Sequence, residues 1–145
     1  MTKEKIIVEK FRRYRWLLRE IKHLEDEKER IRSLMECTTK ALSDSPKGGF
    51  ADGTRLETST EKIIQIEELV SGQIKQLKEQ RAEIESFLSL LESPKERTLL
   101  RMKYIDGMTW EEIEQKEHLD ERWIRRIVGD AIHKIALKSP PDLMI

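Results

Sequence analysis

The sequence has one cysteine, no long apolar run and no metal-binding pattern. Cys37 is the only cysteine in 145 residues, which excludes an internal disulfide and a zinc site of Cys/His spacing. No apolar stretch approaches the roughly 20 residues that a membrane-spanning helix requires. The opening residues, MTKEKIIVEK, lack the apolar segment of a signal peptide. We therefore expect a soluble, cytoplasmic protein with no membrane contact and no metal.

Aromatic residues are also scarce, whereas charged residues are abundant. They make up 6% and 39% of the chain, a composition typical of long amphipathic helices and not of a large globular core. Lys and Arg together number 28, as do Asp and Glu. The net charge thus favours no class of partner, and only a local patch of one sign can indicate nucleic acid.

Two long segments, residues 1–42 and 60–92, carry apolar residues at helical spacing. The seven-residue recurrence predicts a coiled-coil-like seam on each helix. The seam positions are Ile7, Tyr14, Leu17, Ile21, Leu24, Ile31, Met35, Ile63, Val70, Leu77, Ile84 and Leu91. We predict an all-α protein in which these segments form a long antiparallel helical hairpin. Because one helix pair buries little apolar surface, the hairpin is expected to pack on a second copy or on the C-terminal unit, and a dimer is expected.

Residues 43–59 contain Pro46 and three glycines among Ser, Asp and Thr. This composition predicts a flexible loop in which the chain reverses. Thr58 and Glu61 have the spacing of a capping box, which predicts that the second helix begins near Thr60. Gly72, inside that helix, indicates either a close crossing or a bend.

The first helix opens with a basic half in which Tyr14 and Trp16 are interleaved. Two interpretations stay open for it. The basic side chains either contact phosphates or form a solvated face above the packing seam, and the solvated face is the simpler account.

Residues 93–138 carry three helix-start signals. Ser93 precedes a proline and lies three residues before a glutamate, Thr109 lies three residues before Glu112, and Asp120 precedes the last apolar-periodic segment. Asp106-Gly107 has the composition of a turn, and residues 117–119 are predicted to be the turn between the last two helices. These signals predict a three-helix unit that contains a helix-turn-helix, followed by a tail at residues 139–145.

Arginines at helical spacing near the start of the last helix are the main candidate site residues. Arg122, Arg125 and Arg126 are predicted to contact DNA, because a guanidinium can donate two hydrogen bonds to guanine or to a phosphate. The alternative is that they pair with Glu121 and Asp130 on a solvated face. The remaining candidate DNA contacts are Thr109, Trp123, Lys134 and Lys138.

Some of these further candidates have alternatives as well. Trp123 either stacks on a sugar or packs under the turn, and packing is the expectation. Lys134 and Lys138 either hold phosphates or lie on a solvated face. No residue pattern predicts catalysis, a metal or a cofactor, because the three histidines lie in separate segments without partner ligands.

The run ERTLLRMKYIDGMTWEEI followed by LDERWIRRIVGDAIHKI resembles region four of bacterial sigma factors, the helix-turn-helix that reads a promoter element. It also resembles phage late transcriptional regulators of the RinA and ArpU types. The matching residues are Ser45-Pro46-Lys47-Gly48-Gly49, Tyr104, Gly107, Thr109, Trp110, Glu111, Glu112, Ile113, Arg122, Trp123 and Ile124.

The resemblance implies a phage or prophage regulator that acts in the bacterial host cell. Its helix at residues 120–137 would read double-stranded DNA in the major groove, and RNA polymerase would be a second candidate partner. Two alternatives stay open. One is a DNA-packaging subunit of the small-terminase kind, which a ring of many copies would indicate. The other is a helical interaction module for RNA polymerase or a sigma factor, which would not bind duplex DNA.

Overall fold

A computed structural model describes residues 2–44 and 49–140, with side chains described for residues 2–37 and 57–140. The helices are α1 (Lys3–Asp44), α2 (Gly49–Ser89), α3 (Pro94–Leu100), α4 (Trp110–Glu117) and α5 (Glu121–Lys138), with a π-helical turn at Arg101–Ile105. The described part of the chain contains no strand, so the predicted all-α class is confirmed. None of the described helices has the length and apolarity needed to cross a membrane.

The structure differs from the loop predicted at residues 43–59. α1 continues to Asp44, and α2 begins at Gly49 instead of near Thr60. Pro46 is the only proline between residues 43 and 92, and each Gly, Ser, Asp or Thr costs a helix no more than about 1 kcal/mol. Thr58 therefore lies inside α2 and does not start it. Residues 45–48, the rest of the predicted loop, lie outside the described residues.

The described residues divide into two compact units. The terminal unit comprises those of Met1–Leu17 and Leu77–Ile145, and the middle unit comprises those of Leu18–Gln76. α1 and α2 contribute to both, whereas α3, α4 and α5 belong to the terminal unit. The terminal unit is thus larger than the domain predicted at residues 93–138, because it includes the start of α1 and the end of α2.

In the middle unit, α1 and α2 are joined by polar contacts. Nη2 of Arg32 lies 3.1 Å from Oε1 of Glu67, and Nε2 of Gln73 donates to Oε1 of Glu20 at 2.7 Å. The earlier residue of α1 contacts the later residue of α2, so these segments run antiparallel. Among the described side chains of this unit, the buried apolar ones are Ile66 and Val70. A Cβ at Gly72 would meet nothing within 4 Å, so the close crossing considered there is not found.

The core of the terminal unit combines side chains from α1, α2 and the three shorter helices. Phe11 has no exposed surface, and its ring centroid lies 5.3 Å from that of Tyr104 and 6.4 Å from that of Phe87. Burial of each large side chain stabilises the fold by roughly 1.5–3 kcal/mol. The buried apolar residues are Ile7, Phe11, Tyr14, Leu17, Ile84, Phe87, Leu88, Leu91, Leu99, Leu100, Met102, Ile113, Ile124, Val128, Ala131, Ile132, Ile135 and Ala136.

An ion-pair network on Glu85 joins α2 to the π-helical turn. Arg101 donates to both carboxylate oxygens of Glu85, at 2.7 Å each, and Nε of Arg81 lies 3.0 Å from Oε1. Arg81 also donates to the hydroxyl of Tyr14 at 2.9 Å. The hydrogen bonds from Arg101 are the main cause of the lowered pKa of Glu85. The network therefore holds α1, α2 and the turn together beside the core.

Candidate nucleic-acid interface

α3 and the π-helical turn precede the two helices that carry the candidate DNA-contacting residues. Ser93 adopts an extended backbone, and its hydroxyl accepts the N–H of Glu96 at 3.4 Å, with Pro94 in the first turn of the helix. The predicted start of this helix is confirmed. After the turn, Gly107 has a φ of +73°. Residues with a side chain rarely adopt a positive φ, whereas glycine adopts it easily. Gly107 therefore lets the chain leave the helical conformation at the predicted stop, Asp106-Gly107.

α4 is bounded by two local signals that the sequence predicted. The hydroxyl of Thr109 accepts the N–H of Glu112 at 3.1 Å, which satisfies one of the free donors at the helix start. At the other end His118 has a φ of 56° and lies in the left-handed region, and its N–H donates to the carbonyl of Glu114 at 2.8 Å. Ile113 is fully buried between these ends, so α4 is held against the terminal core.

α5 begins at a cap as well and carries the candidate arginines on its exposed side. The Asp120 carboxylate accepts the N–H of Arg122 at 3.4 Å. Arg122 and Arg126 are exposed, and neither guanidinium makes a hydrogen bond or an ion pair with the described residues. The opposite side of α5 is apolar and buried as predicted, except that Ile127 is half-buried. Two guanidinium groups are thus presented to solvent near the start of α5.

Arg125 has two partners within the chain. Its Nη2 lies 2.9 Å from Oε1 of Glu121, one turn earlier on α5, so the alternative of pairing is found for this arginine. Its Cζ also lies 5.3 Å from the centre of the Trp110 ring, and Nζ of Lys103 lies 4.4 Å from the same centre. Trp110 is half-buried and therefore brings two cations of different elements together.

The remaining candidates are placed differently from the sequence expectation. Trp123 is 50% exposed, so the packing expected under the turn is not found. Nζ of Lys134 lies 2.6 Å from Oε1 of Glu96, and this hydrogen bond raises the pKa of the lysine. Lys138 donates to the carbonyl of Leu90 at 3.1 Å. These two lysines connect α5 to its neighbours within the fold and do not form a free basic face.

Sequence reasoning missed Lys103 and its proximity to Arg15. Burial lowers the pKa of Lys103, and the positive charges of Arg15 and Arg125 lower it further, while Glu112 acts in the opposite direction. Nε of Arg15 lies 2.8 Å from the position that a Cβ on Gly107 would take. The basic half of α1 was visible in the sequence, but only tertiary packing brings Arg15 to the start of α4.

No catalytic arrangement is evident among the described side chains. Within residues 2–37 and 57–140, no group of three His, Cys, Asp or Glu side chains could hold a metal ion. His133 contacts Glu4, with Nδ1 2.8 Å from Oε1, and both groups are largely exposed. The expectation that the protein is not an enzyme stays a prediction.

Comparison with known families gives one match. Residues 49–137 match the family described as "Protein of unknown function (DUF722)", and this match covers more than half of the chain. Comparisons with curated proteins and with solved structures found no match. The resemblance to sigma region four and to the RinA and ArpU regulators therefore stays a prediction. On the family match, the chain belongs to the DUF722 family.

Proposed function

We propose that this chain is a sequence-specific DNA-binding regulator of transcription that places α5 in the major groove. The observation that carries the proposal is the pair of exposed arginines, Arg122 and Arg126, near the start of a helix that follows a left-handed turn at His118. In helix-turn-helix proteins, the N-terminal residues of the second helix contact base edges. A guanidinium recognises guanine O6 and N7 through two hydrogen bonds.

The other side chains of α4 and α5 support positioning on the duplex. Thr109 lies at the start of α4, where free backbone N–H groups favour a phosphate. Trp123 is half-exposed beside Arg122 and is available to contact a sugar. Lys134 and Lys138 are engaged with Glu96 and Leu90, so they contribute less to the proposal.

The proposed architecture is an antiparallel helical hairpin of α1 and α2, followed by a helix-turn-helix unit of α3, α4 and α5. The hairpin would serve as the dimer interface or as a contact for RNA polymerase. The small core of the middle unit supports a dimer, because few of its described apolar side chains are buried in one copy. A dimer would read two half-sites. The role in phage late transcription is part of the proposal and comes from the sequence resemblance.

The proposal is tested by selecting bound duplexes from a random DNA pool at low and moderate salt. We expect the wild-type chain to enrich a motif. Arg122→Ala and Arg126→Ala should each lose discrimination at the contacted position, at a cost of about 1–3 kcal/mol for a bidentate contact. Arg13→Ala is the matched control, since it removes an arginine of α1 that lies in a groove with Gln80 and Glu83 of α2.

Two outcomes would contradict the proposal. If the wild-type chain enriches no motif, α5 does not read bases, and the helical interaction module becomes the better account. If a motif is enriched but both α5 variants keep it unchanged, recognition lies elsewhere in the chain. Whenever the wild-type chain enriches a motif, Arg13→Ala is expected to enrich the same motif.

A further inference from the structure

We infer that Arg15 and Lys103, together with Arg125, form a binding site for one backbone phosphate of duplex DNA beside the start of α4. This inference rests on the proposed function and adds a second contact region to it. The site joins three separate parts of the terminal unit: α1, the π-helical turn and α5. The base-reading residues of α5 do not include Arg15 or Lys103.

The geometry of the site is set by Trp110 and Gly107. Nζ of Lys103 lies 4.4 Å and Cζ of Arg125 lies 5.3 Å from the centre of the Trp110 ring. The guanidinium of Arg15 lies beside Gly107, with Nε 2.8 Å from the position that a Cβ on this residue would take. A glycine at this position therefore allows an arginine of α1 to approach the start of α4.

The charges of this cluster are only partly compensated within the chain. Arg125 pairs with Glu121, whereas neither Arg15 nor Lys103 makes an ion pair with a carboxylate among the described residues. Burial, Arg15 and Arg125 lower the pKa of Lys103. Glu112 acts in the opposite direction. Like charges held this close repel one another, and a phosphate would remove that repulsion.

Local packing accounts for part of the arrangement but not for all of it. The Trp110 ring attracts Lys103 and Arg125 through its negative face. It does not account for Arg15, which lies against Gly107. The free N–H groups and the dipole at the start of α4 add further positive potential next to this guanidinium. Each of these contributions favours an anion beside the start of α4.

The experiment measures how the affinity for a short random-sequence duplex changes with salt. Each neutralised phosphate contributes about 0.9 to the slope of log affinity against log salt. We expect the double variant Arg15→Ala, Lys103→Ala to lower this slope by about 1. The same variant should enrich the wild-type motif in the DNA selection, because its base-reading residues are intact.

Two further variants make the result specific to the charges of this cluster. Arg13→Ala removes one positive charge from the same helix, in a groove that faces α2, and should leave the slope unchanged. Arg15→Lys, Lys103→Arg keeps both charges and should keep most of the slope, which separates loss of charge from loss of folding. Thermal unfolding of each variant verifies that the helices are retained.

The outcomes separate this inference from the proposed function. An unchanged slope in the double alanine variant, with a motif that depends on Arg122 and Arg126, would overturn the phosphate site alone. A lowered slope without any enriched motif would support the phosphate site and overturn sequence-specific reading. If the wild-type chain does not bind duplex DNA at low salt, both are overturned.

Discussion

At the scale of single residues, two backbone conformations determine how α4 is connected. Gly107 at φ +73° precedes α4, and His118 at φ 56° follows it. The glycine is favoured mainly by its backbone angle, since the nearby guanidinium of Arg15 is the end of a flexible side chain that can shift. Histidine tolerates the left-handed region better than most residues. The turn at His118 therefore forms without glycine.

We predict that Gly107→Ala destabilises the terminal unit by about 1–2 kcal/mol, the cost of a left-handed conformation for an L residue. Displacement of the Arg15 guanidinium should add little, because it is the end of a flexible side chain. Gly129→Ala is the control, because a Cβ there meets nothing within 4 Å. It should stabilise α5 by about 0.5–1 kcal/mol.

Urea unfolding of both glycine variants beside the wild-type chain measures these differences in the free energy of unfolding. Equal stability of Gly107→Ala and the wild-type chain would show that residue 107 does not need a positive φ.

At the scale of elements, the π-helical turn is held by charged contacts as well as by the apolar core. Arg101 lies in this turn and holds Glu85 of α2 through two hydrogen bonds. Met102 of the same turn is buried, and its carbonyl accepts the N–H of Met108 at 3.0 Å. The turn that places Lys103 beside Trp110 is thus held by the ion pair with α2 and by the burial of Met102 in the core.

The lowered pKa of Glu85 has a consequence for stability against pH. A carboxyl whose pKa is lower in the folded state stabilises the fold above its unfolded value, 4.5, and loses that contribution as pH falls through the folded value. Because the Glu85 side chain is 40% exposed, solvent screening limits the contribution to no more than about 1 kcal/mol.

We predict that Glu85→Gln lowers the free energy of unfolding at neutral pH and that the difference from wild type disappears in acid. Urea unfolding at neutral pH and well below pH 4.5 measures this difference in the free energy of unfolding. Glu79→Gln, on an exposed position of α2, serves as the control and should show no such convergence. A difference for Glu85→Gln that is the same at both pH values would contradict the ion-pair origin of the effect.

At the scale of the whole molecule, the two units differ in how much core they have. The terminal unit buries side chains from α1, α2 and all three shorter helices, whereas the middle unit buries Ile66 and Val70 among the described residues. Leu34 and Leu69 of the middle unit are 67% and 50% exposed. A second copy packed on this unit would remove such surface from water, which favours association.

We predict that the chain is a dimer in solution, with a mass by light scattering of twice 17.2 kDa. The mass should not fall in moderate salt, because apolar burial and not ion pairing would hold the copies together. A mass of 17.2 kDa would exclude the dimer. A ring of many copies would instead favour the packaging alternative.

Much of the local structure followed from the sequence because its causes are local. The caps at Ser93, Thr109 and Asp120 involve hydrogen bonds over two or three residues, so spacing alone predicted them. The stop at Gly107 and the left-handed turn at His118 are likewise properties of single residues. The start of α2 was mispredicted because Gly, Asp and Thr disfavour a helix only weakly.

Tertiary structure decided what the separate segments do together. The sequence alone determined the all-α class, the starts of the three shorter helices and the presence of arginines near the start of α5, but not the π-helical turn that follows Leu100. Only packing determined that Lys134 contacts Glu96, that Trp123 is exposed, that Lys103 lies over Trp110 and that Arg15 lies beside Gly107. These contacts join residues far apart in the chain, so no spacing rule predicts them, and the charge that surrounds the candidate interface depends on them.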